Sequence, residues 1–251
     1  DTMEQDGRYM MENNYRYSVT LLEQCQVQHI PFLYASSASV YGNGPIFQES
    51  REHEAPLNVY AYSKFLFDQY VRQVMDRKTS QIAGFRYFNV YGPRESHKGR
   101  MASVAFHFYN QFVKEGQVRL FEGAEGIMNG MQRRDFIYVD DVVRVNLHFL
   151  DNIHLSGIFN LGTGCAQTFN DVACAVVNSV RKQRQEAPLS LNDLLAGHLI
   201  EYILFPQALV GKYQNHTQAD LHQLRDSGYT DSFMSVEEGV ARYVDQLAES
   251  V

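Results

Sequence analysis

Short apolar runs alternate along this chain with longer stretches whose apolar residues recur at helical spacing, and that alternation limits the possible folds more than any other feature. The runs at 31–37, 81–88, 118–121, 135–139, 157–161 and 200–205 are predicted strands. Predicted helices cover 7–26, 58–75, 102–114, 141–150 and 169–181, with two more at 217–227 and 235–248. Strand and helix in turn imply an α/β protein with a largely parallel sheet. The run Pro31-Phe32-Leu33-Tyr34-Ala35-Ser36-Ser37 suits a strand buried on both faces, and its C-terminal end is where an open α/β sheet places reactive groups. The stretch 181–197 is polar, contains Pro188 and lacks a clear period, so a mobile insertion is expected there. No internal repeat is visible.

Composition narrows the functional classes. A net charge of −7 argues against nucleic acid as the main partner, since phosphate backbones are bound through clustered Lys and Arg. No apolar run is long enough to cross a bilayer, so no membrane partner is expected. The three cysteines, Cys25, Cys165 and Cys174, are odd in number and lack metal-ligand spacing. Reduced thiols, a cytoplasmic setting and no metal site are the expectation. Residues 1–6 have neither the basic nor the apolar region of a signal peptide, and they do not look like the start of a domain.

The strongest chemical signal is Tyr60-Ala61-Tyr62-Ser63-Lys64. Spacing of i and i+4 puts the phenol and the ammonium on one helix face. A phenol has an ordinary pKa near ~10, and a neighbouring cation favours the phenolate, so Lys64 is expected to activate Tyr60 as a base. Ser37, at the end of the preceding strand, would hold a substrate hydroxyl while Tyr60 takes its proton. With 16 tyrosines in the chain, the four-residue spacing alone is a weak signal.

Context strengthens it. Ala35-Ser36-Ser37-Ala38-Ser39-Val40-Tyr41-Gly42, then Pro56-Leu57-Asn58-Val59-Tyr60-Ala61-Tyr62-Ser63-Lys64, then Arg86-Tyr87-Phe88-Asn89-Val90-Tyr91-Gly92-Pro93-Arg94, follow in the order seen in extended short-chain dehydrogenases. The stretch 92–107, from Gly-Pro-Arg-Glu-Ser-His-Lys-Gly-Arg to Val-Ala-Phe-His, is similar to the ADP-L-glycero-D-manno-heptose 6-epimerase family, and the similarity runs from about Gly7 to Tyr243.

That resemblance implies a Rossmann-like, mostly parallel sheet without its first strands, plus a smaller C-terminal substrate lobe. Residues 1–92 would be the later part of the NAD(P)-binding domain. Residues 93–251 would be mainly the substrate lobe, with strands near 134–165 returning to the sheet. It also implies inversion of carbon 6 of ADP-D-glycero-D-manno-heptose through a 6-keto intermediate, a step of lipopolysaccharide core synthesis, with NADP, or NAD, as cofactor. Inverting a carbinol needs a proton carrier on each face, and the family places them at Tyr60 and Lys98. Asn13, Lys64 and His97 match cofactor positions. Asn89, Arg100, His107, Phe121, Glu122, Gly123, Ala124, Arg134 and Tyr213 match substrate positions. For Arg134 there is a physical reason: a guanidinium can hold a diphosphate through two parallel hydrogen bonds. Homo-oligomeric assembly is implied as well.

The chain departs from the pattern at its front, where the strand, Gly-rich turn and helix that receive a dinucleotide pyrophosphate are not found. Gly162-Thr163-Gly164 follows a predicted strand and precedes a predicted helix, but it lacks the third small residue and is rejected as that turn. The stretches 126–131 and 185–197 look inserted. Ser37, Tyr60 and Lys64 would equally serve a UDP-hexose 4-epimerase or 4,6-dehydratase, and a chain without the dinucleotide turn could be an inactive product.

Overall fold

The computed structural model describes residues 4–124, 126–206 and 215–249. The strands are β1 (Phe32–Ser37), β2 (Ile82–Tyr87), β3 (Asn89–Tyr91), β4 (Val118–Phe121), β5 (Arg133–Tyr138), β6 (Gly157–Leu161), β7 (Ala166–Thr168) and β8 (Ile200–Ile203). The α-helices are α1 (Gly7–Met10), α2 (Tyr17–Val27), α3 (Val59–Val74), α4 (Val104–Glu115), α5 (Val139–Asp151), α6 (Phe169–Gln183), α7 (Leu191–Ala196), α8 (His222–Asp226) and α9 (Val236–Glu249). A π-helical stretch, Met11–Arg16, joins α1 to α2. The chain divides into two compact units. One comprises Asp1–Phe88, Val143–Gly164 and Ala219–Asp231, and the other Asn89–Val142, Cys165–Gln218 and Ser232–Val251.

In the first unit β1, β2 and β6 form a parallel sheet with β2 in the centre. β2 and β6 are buried on both faces, as expected of parallel sheets, whereas β1, expected to be buried on both, alternates and leaves Ala35 exposed. Helix α3 starts where Asn58 caps it, the side chain accepting from Ala61 N at 2.8 Å. It buries Phe67 and Val71 against Phe32, Tyr34 and Ile82. The ring of Tyr34 lies directly over its register partner Gly84, where any Cβ would come within 2.2 Å of the ring. Gly42 ends the turn after β1 with φ +59°, and a Cβ there would meet the Ala55 carbonyl oxygen at 2.0 Å. The π-helical stretch fits one extra residue into a turn, and from it Asn14 Nδ2 donates to Ser63 Oγ of α3 at 3.0 Å.

The second unit holds two small sheets. In one, β5 pairs with β3 in parallel and with β7 antiparallel; in the other, β4 and β8 are parallel. Around them α4, α6 and α9 bury Phe108, Phe112, Val176, Val177, Val240 and Tyr243 in one core. Helix α6 begins in a capping box, Thr168 Oγ1 accepting from Asp171 N while Asp171 Oδ2 accepts from Thr168 N.

Several expectations are corrected here. The stretch 181–197 is folded: it contains α7, whose Leu194 is fully buried, and it is tied to α6 by Arg181–Glu186 at 2.6 Å and by paired Asn178–Leu189 hydrogen bonds. Six residues give too short a helix to reveal a period. The helix predicted over 217–227 shrinks to α8, and the strand over 200–205 to β8. Gly162-Thr163-Gly164 leads into β7 and not into a helix, which removes the remaining reason to read it as a phosphate turn.

Candidate active site

In the first unit, β1 ends at Ser37, which caps a 3-10 turn (Ala38–Tyr41) by accepting from Ser39 N at 3.2 Å and from Ser39 Oγ at 2.9 Å. Tyr60 is the second residue of α3, and its phenol stands near enough to the Ser37 hydroxyl for that group to draw its pKa down. One turn on, Lys64 Nζ donates to the Ala35 carbonyl oxygen at 2.9 Å and lies 6.0 Å from the centre of the Tyr60 ring. The fold therefore brings Ser37, Tyr60 and Lys64 together, all three half-buried.

Electrostatics differ from the expectation drawn from spacing. Burial pushes the Tyr60 phenol above its ordinary value, and the Ser37 hydroxyl only partly offsets this. Burial also lowers the Lys64 ammonium, against the pull of the Asp68 carboxylate. The lysine is engaged by a backbone carbonyl, so Tyr60 rests as a neutral phenol beside a serine hydroxyl. Two adjacent hydroxyls at a strand end can hold and exchange a proton with a carbinol or carbonyl oxygen.

Beneath this group lies a buried ionic cluster that motif reading missed. Asp68, one further turn along α3, accepts from Tyr34 OH and Ser36 Oγ at 2.9 Å each and from Arg86 Nε at 3.0 Å. Arg86 also pairs with Glu54, which takes two further bonds from Arg72 at 2.6 and 2.8 Å. Two carboxylates thus meet two guanidiniums, the balance a buried cluster requires. Burial drives the Asp68 carboxyl upward against Arg86, whereas in Glu54 the two arginines outweigh burial and hold it below its usual range. Glu49 stands apart. It accepts from Asn160 N at 2.6 Å, and burial pushes its carboxyl up to about 7. The sequence signal for this cluster was weak: a charge four residues after Lys64, inside an otherwise apolar helix face.

Apart from Asn13, the second unit carries the other predicted residues. A cavity of about 360 Å³ is lined in part by Phe108, Phe121, Phe169 and Ile203, with His107, Gln111, Arg119 and Gln132 as its polar members. His107 and Phe121 therefore meet in one place. The guanidinium of Arg134 sits 5.8 Å from the centre of the Phe169 ring, so it lies behind one wall. Glu122, Gly123 and Ala124 continue from Phe121 into a closed turn, Gly123 N donating to Asn129 Oδ1 at 2.8 Å and Ile127 N to Ala124 O at 3.1 Å. Gln132 and Phe169 were not anticipated.

His97, Lys98 and Arg100 are exposed on the 3-10 stretch Ser96–Met101, and Asn89 is exposed at the start of β3. None of the four lines the cavity. Lys98 Nζ lies 3.9 Å from Glu95 Oε2. Glu95 is itself buried and accepts from Ser103 N at 2.8 Å, Ser103 Oγ at 2.6 Å and Tyr243 OH at 2.9 Å, fixing the base of the stretch. Asn13 is exposed and donates to Tyr9 O within its own helix. Tyr213 lies outside the described residues. Among the described residues no group of His, Cys, Asp and Glu could hold a metal ion, and no helix is long and apolar enough to cross a membrane.

A parallel sheet whose strand-end serine meets a tyrosine and a lysine on the following helix defines a Rossmann-like α/β protein with a polar candidate site at the strand end. Comparison with known proteins then places it: residues 1–162 match the model of the NAD dependent epimerase/dehydratase family, and the chain belongs to that family. It is 64% identical over 250 residues to the ADP-L-glycero-D-manno-heptose-6-epimerase of Thiobacillus denitrificans, covering 100% of this chain and 75% of that protein. Among solved structures, the Helicobacter pylori ADP-L-glycero-D-manno-heptose-6-epimerase superposes with a TM-score of 0.80 at 29% identity, over 99% of this chain and 69% of that one. The Thermus thermophilus UDP-glucose 4-epimerase in complex with NAD shares the fold, with a TM-score of 0.71 at 24% identity over 99% and 76% of the two chains. Family membership brings a nicotinamide dinucleotide as cofactor. Lys64, with its half-buried ammonium beside the Ser37–Tyr60 pair, fits as the donor toward such a group.

Proposed function

We propose that this chain carries the site for epimerising ADP-D-glycero-D-manno-heptose at carbon 6 to the L-glycero form, a sugar used in the lipopolysaccharide core. The observation that supports it most directly is the Ser37–Tyr60 hydroxyl pair with Lys64 one turn away. A nicotinamide dinucleotide, when bound, supplies the acceptor and then the donor of one hydride. Ser37 holds the oxygen at carbon 6 by hydrogen bonding. Tyr60 exchanges the hydroxyl proton on one face as the carbinol becomes a ketone and returns. Lys98 exchanges it on the opposite face, so the regenerated carbinol has inverted configuration.

In this reading the 360 Å³ cavity receives the nucleotide, Phe121 packing on adenine and Arg134 holding the diphosphate. Asn13 and His97 stand on the cofactor side, and Asn89, Arg100, His107, Tyr213 and residues 122–124 on the substrate side. NADP serves as the cofactor, with NAD as the alternative, and the protein works in the cytoplasm as a homo-oligomer. Parallel titrations of NADP and NAD and a sedimentation-equilibrium run check these points. Tighter NAD binding, or a monomer, would reverse them.

The main test is an assay of ADP-D-glycero-D-manno-heptose and UDP-galactose side by side, on wild type and Lys98→Ala. Conversion of the heptose, lost by ~100-fold or more in the variant, is expected. Turnover of UDP-galactose alone would instead support a 4-epimerase using the same three residues.

A further inference from the structure

Three side chains on one face of α3, spaced four residues apart, reach the end of β1 in succession: Tyr60 to Ser37, Lys64 to Ala35, and Asp68 to Tyr34 and Ser36. The third has no part in the proton-transfer chemistry above. It is fully buried, and its partners flank the carbonyl that holds Lys64. It also reaches β2 through Arg86, whose register partner on β1 is Ser36. The whole contact lies within the first unit.

We propose that Asp68 is a positioning residue for the Tyr60–Lys64 pair: its carboxylate docks α3 onto Tyr34 and Ser36 at the spacing that lets Lys64 reach Ala35 O, and from one turn along the same helix face its negative charge favours the charged form of Lys64. The proposal rests on the reading of Tyr60 and Lys64 given above. Geometry supports the first half, since a carboxylate that accepts from residues on both sides of Ala35 fixes that peptide against the helix. Charge supports the second, because burial alone would favour a neutral amine and Asp68 opposes it. The groups around the pair are few. Tyr34 and Ser36 face Asp68 from β1, Arg86 from β2, Glu54 from the loop before α3, and Arg72 from α3 itself; from the π-helical stretch Asn14 reaches Ser63 and Tyr15 packs beside Phe67 and Val71.

Asp68→Asn removes the charge but keeps an acceptor. Its expected signature is a fall of ~1 unit or more in the pKa of the Lys64 amine, read from the 13Cε shift of labelled lysine. This readout needs no cofactor and no turnover. In the holoenzyme the basic limb of the kcat/KM profile should move acid by the same amount, whereas loss of packing alone would lower the profile without moving it. If Asp68→Asn leaves Arg86 uncompensated and does not fold, Asp68→Asn combined with Arg86→Gln restores the balance with Glu54 and Arg72 and carries the same expectation. Ser36→Ala keeps the charge and loosens the docking, so kcat should drop several-fold with the limb unmoved. A folded variant with an unshifted Lys64 amine overturns the electrostatic half, and unchanged kcat in Ser36→Ala overturns the docking half. Undiminished turnover in Tyr60→Phe would instead defeat the underlying proton-transfer reading, so the two failures are distinguishable.

Discussion

Lys64 Nζ donates to the Ala35 carbonyl oxygen at 2.9 Å, so the ammonium is anchored by the strand that ends in Ser37 and not by the ring of Tyr60. The relation matters because it separates two jobs that sequence spacing merges. The lysine is positioned by backbone, and the phenol, pushed up by burial, rests protonated against a serine. Proton transfer by Tyr60 therefore starts from the acid form.

Replacing Tyr60 by Phe removes the hydroxyl and little packing. Turnover is expected to fall by ~10²- to 10⁴-fold, the usual worth of a positioned proton-transfer group, with the thermal midpoint nearly unchanged. Steady-state assay beside a melting curve checks both. Turnover within a few-fold of wild type would remove Tyr60 from the mechanism.

Gly84 admits no side chain because the Tyr34 ring occupies the space, and that ring is also tied to Asp68. Gly84→Ala should cost about 1–3 kcal/mol, as overpacking of a close-packed interior does. A urea titration gives the value. An alanine accommodated without cost would mean that Tyr34 can move away freely.

Glu49 gives a signed pH dependence. Its folded pKa is raised to about 7, above the ~4.3 of an unfolded glutamate, so its contribution is fully present below about 4.3 and is lost as pH rises through about 7. Between those values the native state binds more protons than the unfolded state, and stability falls by at most about 1.4 kcal/mol per pH unit from this group. Glu49→Gln should abolish that slope while keeping an acceptor for Asn160 N. Urea midpoints for both proteins at pH 4.5, 6 and 8 should converge at the acid end and favour the variant at the basic end. Parallel curves would show that Glu49 ionises normally.

Leu194 tests whether the 184–197 stretch belongs to the core. Truncation to Ala at this fully buried position should cost about 2–5 kcal/mol, whereas a residue in a loose insertion would cost almost nothing.

The legible parts of this molecule were those written in one contiguous pattern. Alternating apolar runs placed six of the strands to within a few residues, and the spacing of Tyr60 and Lys64 after a strand ending in Ser37 picked out residues that the fold brings together. Strands β3 and β7 escaped because three residues carry no period, and α7 because one capped turn looks like a polar loop. The ionic cluster escaped for another reason. Arg86 lies 18 residues from Asp68 and 32 from Glu54, and they become neighbours only when the sheet aligns Ser36 with Arg86. The raised pKa of Tyr60 was equally invisible, because it reflects burial, which no local spacing encodes.

The widened turn at Met11–Arg16 has a consequence for how this helix tolerates change. Six residues there occupy a stretch wound more loosely than its neighbours, and Asn14 reaches Ser63 from within it. Deleting one residue there would let the segment relax to ordinary α-helical winding and leave the residues before it on their present face, because five α-helical residues turn the chain about as far as six π-helical ones. Met10 would keep its buried seat, whereas the same loss from a regular α-helix would carry it about a hundred degrees around the axis.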